Sequence, residues 1–197
     1  MAAAAATRPY AGVMAVLPWG RELTRADLDD LPDDGHRYEL LDGSLLVTPA
    51  PRPMHQIAVG EVFVLLRAAA SGSEYVTIMA PLEVAFSDVT VLQPDVLVVR
   101  KADLDDRGAA GVPVLVVEVL SPSTRRFDLG TKRSAYEAAG VAHYWVVDPE
   151  IPSLVAWRLH EGVYVEVAAA TGDETFHFTG PFVIAVVPSD LIRPLGG

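Results

Sequence analysis

The hydrophobic positions of this chain change period several times, and each change marks an element. Leu28 and Leu31 lie three apart behind Thr24, with Asp27 three residues after that threonine. The pattern predicts a short helix opened by a capping box, ended by Pro32-Asp33-Asp34-Gly35. Two apolar runs, 37–41 and 45–47, flank Asp42-Gly43, the arrangement of a tight hairpin. Pro49, Pro51 and Pro53 make a stiff connector. From Met54 to Ser71, the residues Ile57, Ala58, Val62, Leu65, Leu66 and Ala69 fall at helical spacing, with Gly72 as the stop. The period then drops to that of strands: 75–79, 82–86 and 96–99. Val114 to Leu120 is almost wholly apolar, which suits a central strand covered on both faces. A helix over 128–139, closed by Gly140, and a buried strand over 143–148 complete a βαβ unit. Strands over 153–159, 163–167 and 174–178 form a meander, and 188–192 is a last helical turn. The class is α/β (α+β): a central mixed sheet flanked by helices, with a C-terminal β-meander.

Composition narrows the reading. The chain has 197 residues, of which 51% are hydrophobic, enough for a sizeable core. The length fits one domain over 22–197 behind a flexible extension at 1–21. There is no cysteine, so a disulfide scaffold, a cysteine zinc site and a thiol nucleophile are all excluded. The formal net charge is −11, so bulk charge cannot hold DNA. A nucleic-acid function needs a local basic patch or bound cations. No apolar run reaches the length of a membrane span, and the alanine-rich start lacks the basic residues of an export signal. A cytoplasmic protein is expected.

Three charged residues stand in unusual places. Asp95 opens an apolar strand after Pro94, and Glu118 interrupts the most apolar strand of the chain. Carboxylates are almost never fully buried without a partner, so Glu118 needs a cation, a hydrogen-bond network or a raised pKa, or else it leans into solvent where the strand ends. Lys132 lies early in the helix that follows and can reach the end of that strand. Its alternative is an ion pair with Asp128 one helical turn away. Residues 121–140 carry Arg125, Arg126, Lys132 and Arg133 against only Asp128 and Glu137, so a basic segment follows the acidic strand end. His55, at the head of the long helix, is either a satisfied structural histidine or a substrate contact. Ser121 lacks the glycines of a nucleophile elbow, and Tyr136, Tyr144, Trp145 and Trp157 read as core and sheet-face residues.

The run Tyr38-Glu39-Leu40-Leu41-Asp42-Gly43, His55 at a helix head, Pro94-Asp95-Val96, and Glu118-Val119-Leu120-Ser121-Pro122-Ser123 come in a set order. Asp128, Lys132 and Tyr136 follow at fixed spacing, then Gly140-Val141, Tyr144-Trp145 and Asp148-Pro149. Over about residues 22–190 this pattern resembles the Uma-two family of putative restriction endonucleases, assigned to the PD-(D/E)XK nuclease superfamily. The resemblance implies divalent-metal hydrolysis of phosphodiester bonds in DNA. Asp95 then matches the motif aspartate, Glu118 the second carboxylate, and Glu39 a further acidic residue. The superfamily lysine two positions after the glutamate is Leu120 here, and Lys132 is its substitute. His143 stands where the family commonly has a glutamate. Mg²⁺ or Mn²⁺ would sit on Asp95, Glu118 and the Val119 carbonyl, with Lys132 stabilising developing charge, and His55, Arg125 and Arg126 facing substrate. A homodimer is expected where two strands must be cut. The competing classes are a non-catalytic nucleic-acid-binding or regulatory module on the same fold, and a structural protein with an acidic surface.

Overall fold

A computed structural model of the chain describes residues 20–32, 34–105, 108–109 and 111–193. The extension expected at 1–21 therefore lies, up to residue 19, outside the described residues. Helix α1 (Arg25–Asp29) begins behind Thr24, whose backbone N–H donates to the Asp27 carboxylate at 2.8 Å, half of the expected capping box. The hairpin follows, β1 (Arg37–Leu41) and β2 (Ser44–Thr48), paired in register from Arg37 opposite Thr48 to Leu41 opposite Ser44. Its two turn residues, Asp42 and Gly43, have φ of 48° and 72°, as a type I′ turn demands. A Cβ on Gly43 would stand 2.7 Å from that of Glu22, so packing against the incoming chain also selects glycine there.

Helix α2 (Pro53–Ala69) starts with a proline at its first position, where the missing N–H is no loss, and stops before Gly72 at φ 76°. Strands β3 (Tyr75–Met79), β4 (Val84–Ser87), β5 (Thr90–Leu92) and β6 (Val96–Arg100) come next. The short β7 (Leu104–Asp105) and β8 (Gly108–Ala109) lead to β9 (Leu115–Val119). Strand β5 has only three residues and carries no alternation long enough to be read. The helix expected over 128–139 is of two kinds. Its first part, Phe127–Lys132, is wound as a π-helix, and only α3 (Arg133–Ala138) is α-helical. Strands β10 (His143–Asp148), β11 (Ser153–His160), β12 (Val163–Thr171), β13 (Phe176–Thr179) and β14 (Val183–Val186) complete the chain, with a 3₁₀ turn at Pro188–Ile192.

The central sheet has the order β12-β11-β10-β9-β6-β3. It is mixed: β9 and β10 run parallel, as a βαβ unit requires, and the other neighbours are antiparallel. A second sheet has the order β2-β1-β5-β4-β8-β7. The C-terminal strands meander from β10 to β12; the next strand, β13, pairs with β14 in a separate two-stranded sheet.

Each face of the central sheet has its own core. Val96, Val98, Val117, Val119, Trp145 and Val147 face α2, which supplies Ala58, Val59, Val62 and Leu66. Fully burying one such side chain is worth about 1.5–3 kcal/mol, so this layer anchors the helix. On the other face, Val116, Leu120, Tyr144 and Val146 meet Tyr136 of α3 and Leu41, Leu46 and Leu92 of the second sheet. Glu118 of β9 falls on this second face, between Val116 and Leu120. Among the described residues no helix is long and apolar enough to cross a membrane.

Candidate active site

Side chains alternate along a strand, so Glu118 leaves β9 on the side of Val116 and Leu120, opposite to Val117 and Val119. Strand β6 pairs with β9 so that Val96 faces Val117 and Leu97 faces Val116. One step further in the same register sets Asp95 opposite Glu118, on the same face of the sheet. The two carboxylates that were conspicuous in the sequence are thus neighbours. The Val119 N–H donates to Asp95 Oδ2 at 2.9 Å and ties the two strand ends together. Both carboxylates are buried, at 3% exposure for Asp95 and 1% for Glu118, so Glu118 does not lean into solvent.

The π-helix covers this pair. Its wider turn leaves Asp128 and Lys132 both buried against the cluster. Lys132 Nζ lies 3.0 Å from Glu39 Oε1, 3.2 Å from Glu118 Oε1 and 3.9 Å from Asp128 Oδ1. The local pair with Asp128 is the longest of the three, and the ammonium serves mainly the two glutamates. Tyr136, one turn on, is a core residue as expected, but its hydroxyl donates to Glu118 Oε1 at 2.7 Å. Tyr144 donates to the Asp128 carbonyl at 2.7 Å and fixes the π turn.

Glu39 comes from β1. Its Oε1 also accepts the Gln93 backbone N–H at 2.8 Å, while its Oε2 is buried without a hydrogen-bond partner. Arg37, two residues earlier on the same side of β1, donates to Asp95 Oδ1 at 2.9 Å. His55 Nε2, from the first turn of α2, stands 3.2 Å from Asp95 Oδ2. Sequence reading missed Arg37; the signal was its spacing of two from Glu39 in a strand.

The charges interact strongly. Burial pushes Asp95 up, but the hydrogen bond from His55 and the charges of Arg37 and Lys132 outweigh it and hold this carboxyl well below the usual range. Burial dominates at Glu118 and, with Asp95, Asp128 and Glu39 nearby, raises it to about 8 in spite of Lys132. Burial likewise raises Asp128 to about 6. Burial would lower Lys132, but Glu118, Glu39 and Asp128 together raise it above its ordinary value and keep it charged.

The remaining candidates fall elsewhere. Arg125 is engaged with Asp148, which also accepts the Glu150 and Ile151 N–H groups after β10. Arg126 is exposed just before the π-helix. Among the described residues neither arginine is paired with the carboxylate cluster. Ser121 is tied to Ser123 and Thr124 in the turn before the π-helix. Leu120, at the position of the superfamily lysine, is buried in the second core. His143 is at the opposite end of its strand, edge-on to Phe178, and burial with the Arg158 charge lowers it to about 4.

Among the described residues no group of three or more His, Asp or Glu side chains forms a ready-made metal cage. Mg²⁺ asks for less, since it is held by one or two carboxylates and fills its octahedron with water and phosphate. The donor set fits such an ion. It consists of oxygens, one buried Glu39 oxygen has no hydrogen-bond partner, and among the described residues the four buried carboxyls face two permanently charged side chains, Lys132 and Arg37.

The chain thus folds into two large mixed sheets with few helices, and a carboxylate–lysine cluster lies on one face of the central sheet. A solved structure of a putative nuclease belonging to DUF820 from Anabaena variabilis matches this fold with a TM-score of 0.68. It is 18% identical, and the match covers 86% of this chain and 97% of that one. The family model described as putative restriction endonuclease, Uma2, matches residues 25–182, and the chain belongs to that family. Family and fold together support a nuclease role. No curated protein matches the chain.

Proposed function

We propose that the protein is a divalent-metal-dependent endonuclease that hydrolyses phosphodiester bonds in DNA. The observation that carries this reading is the placement of Asp95 and Glu118 side by side on one sheet face, with the Lys132 ammonium at 3.2 Å from Glu118. Asp95 and Glu118, with the Val119 carbonyl, would hold Mg²⁺ or Mn²⁺, which supplies a water of lowered pKa and neutralises charge on the phosphate. Lys132 provides a fixed positive charge for the negative charge that grows on the phosphoryl oxygens. Glu39 holds Lys132 in place, and Tyr136 fixes the Glu118 carboxyl so that little reorganisation is needed at the moment of reaction. His55 holds Asp95 from the side of α2. Arg125 and Arg126, beside the π-helix, would meet the DNA backbone, and a homodimer would bring two such sites to the two strands. A cytoplasmic location is part of the same proposal.

The test is cleavage of supercoiled plasmid by the full chain with Mg²⁺ or Mn²⁺ and with EDTA. Asp95→Asn and Glu118→Gln should each reduce nicking by a hundredfold or more, while both variants keep the wild-type circular-dichroism spectrum. Equal nicking by wild type and Glu118→Gln would refute the assignment. Metal-independent binding of DNA without cleavage would favour the non-catalytic module instead.

A further inference from the structure

Arg37 takes no part in the chemistry proposed above, yet it touches the cluster at its most accessible edge. Its side chain is 21% exposed, against 2% for Lys132. Arg37 and Glu39 stand two apart on β1, so both leave the strand on the same side. The guanidinium gives one good bond, Nη1 to Asp95 Oδ1 at 2.9 Å. Its Nε is 3.8 Å from Glu39 Oε2, beyond hydrogen-bond reach, and both of these facing, buried atoms are without a hydrogen-bond partner. A guanidinium offers five donors in a rigid fork that suits a carboxylate two bonds at a time. Here the fork is shared between two carboxylates and fully satisfies neither. Lys132, by contrast, lies within 3.2 Å of both its glutamates and is buried at the end of the π-helix. Of the two cations in the cluster, Arg37 is the loosely seated one.

We propose that Arg37 is the replaceable counter-cation of this cluster: it competes at Asp95 with a divalent cation held by Asp95 and Glu118, and swings toward solvent when that cation binds. The inference rests on the metal reading given above. The exchange raises the positive charge facing the carboxylates by one, since one positive charge leaves and two arrive. Glu39 Oε2 loses little when the fork leaves, since Arg37 Nε meets it only at 3.8 Å. Lys132, His55 and the Val119 N–H stay in place and keep the carboxylates aligned.

The measurement is Mn²⁺ titration by calorimetry on the full chain, wild type against Arg37→Gln and Arg37→Lys, with melting temperatures recorded alongside. Removing the competitor should tighten Mn²⁺ binding by roughly tenfold or more in Arg37→Gln, although the variant melts lower without metal. Arg37→Lys keeps the charge and should stay within about threefold of wild type. A purely structural arginine predicts a lower melting temperature with Mn²⁺ affinity unchanged or weaker, and that result overturns the proposal. If neither wild type nor Arg37→Gln binds Mn²⁺ at millimolar concentration, the metal reading falls and the counter-cation with it. If wild type binds and Arg37→Gln binds no tighter, only the counter-cation falls. Should Arg37→Gln not fold, the wild type still decides. Adding Mg²⁺ should speed solvent exchange of the Arg37 Nε proton seen by NMR, and an unchanged exchange rate overturns the proposal.

Discussion

Replacing Glu118 by glutamine tests the electrostatics of the cluster directly. Burial, the largest influence on this carboxyl, raises it from 4.5 to about 8, with Lys132 opposing and Asp95, Asp128 and Glu39 adding to the rise. Between pH 4.5 and 8 the folded protein therefore holds a proton that the unfolded chain has released. The stability associated with the protonated carboxyl is complete below pH 4.5 and is lost as the pH climbs to 8. Asp128, raised chiefly by burial to about 6, has lost most of its proton by pH 6.5 and is present in both proteins. His143, lowered chiefly by burial to about 4, contributes its own slope below pH 6.5, where stability falls as the pH drops. The interval from pH 6.5 to 7.5 thus isolates Glu118 among the shifted groups. A full proton difference is worth about 1.4 kcal/mol per pH unit, so wild type should lose roughly 1 kcal/mol relative to Glu118→Gln across that interval. For a chain of this size that is about 2–4 °C in melting temperature. Thermal melts of both proteins in EDTA at pH 6.5, 7.0 and 7.5 measure it. Parallel curves would show that Glu118 is already ionised and paired with Lys132, and would refute the reasoning.

Metal affinity should rise with pH up to about 8, because a bound cation requires Glu118 without its proton; calorimetric titrations at pH 6.5 and 8.0 check this. Mn²⁺ at a hundredfold excess over Kd should raise the melting temperature by roughly 5–10 °C, from about 2.7 kcal/mol of binding linkage, and Glu118→Gln should lose that rise. Lys132→Met leaves three buried carboxyls without their shared cation and should destabilise by about 3–5 kcal/mol in urea melts, whereas Lys132→Arg keeps the charge and should lose less. Tyr136→Phe removes only the hydroxyl bonded to Glu118 and should lower stability by about 1–3 kcal/mol, read by the same melts. Leu66→Ala, in the α2 layer and remote from the cluster, should lower stability by about 2–5 kcal/mol and leave Mn²⁺ affinity unchanged.

Local chemistry was enough to read most elements from the residues alone. Asp42-Gly43 specifies a turn with two positive φ angles, the spacing of Ile57 to Ala69 specifies a helix, and the apolar runs around Val116 and Val146 specify buried strands. The same reasoning exposed Asp95, Glu118 and Lys132, because a charge inside an apolar run has to be accounted for. The parts that stayed hidden depend on contacts distant in sequence. Strand β5 is too short to show a period and β14 is apolar at every position, and both exist because a neighbouring strand supplies hydrogen bonds. The π winding of Phe127–Lys132 has no sequence period of its own; it places Asp128 and Lys132 together against buried carboxylates from other elements. Lys132 and Glu39 are 93 residues apart, and only the packing of the hairpin over the central sheet brings them to 3.0 Å. Arg37 looked like an ordinary polar residue at the head of a strand. Its place beside Asp95 follows from how the two sheets face each other, which alternation within a single strand cannot reveal.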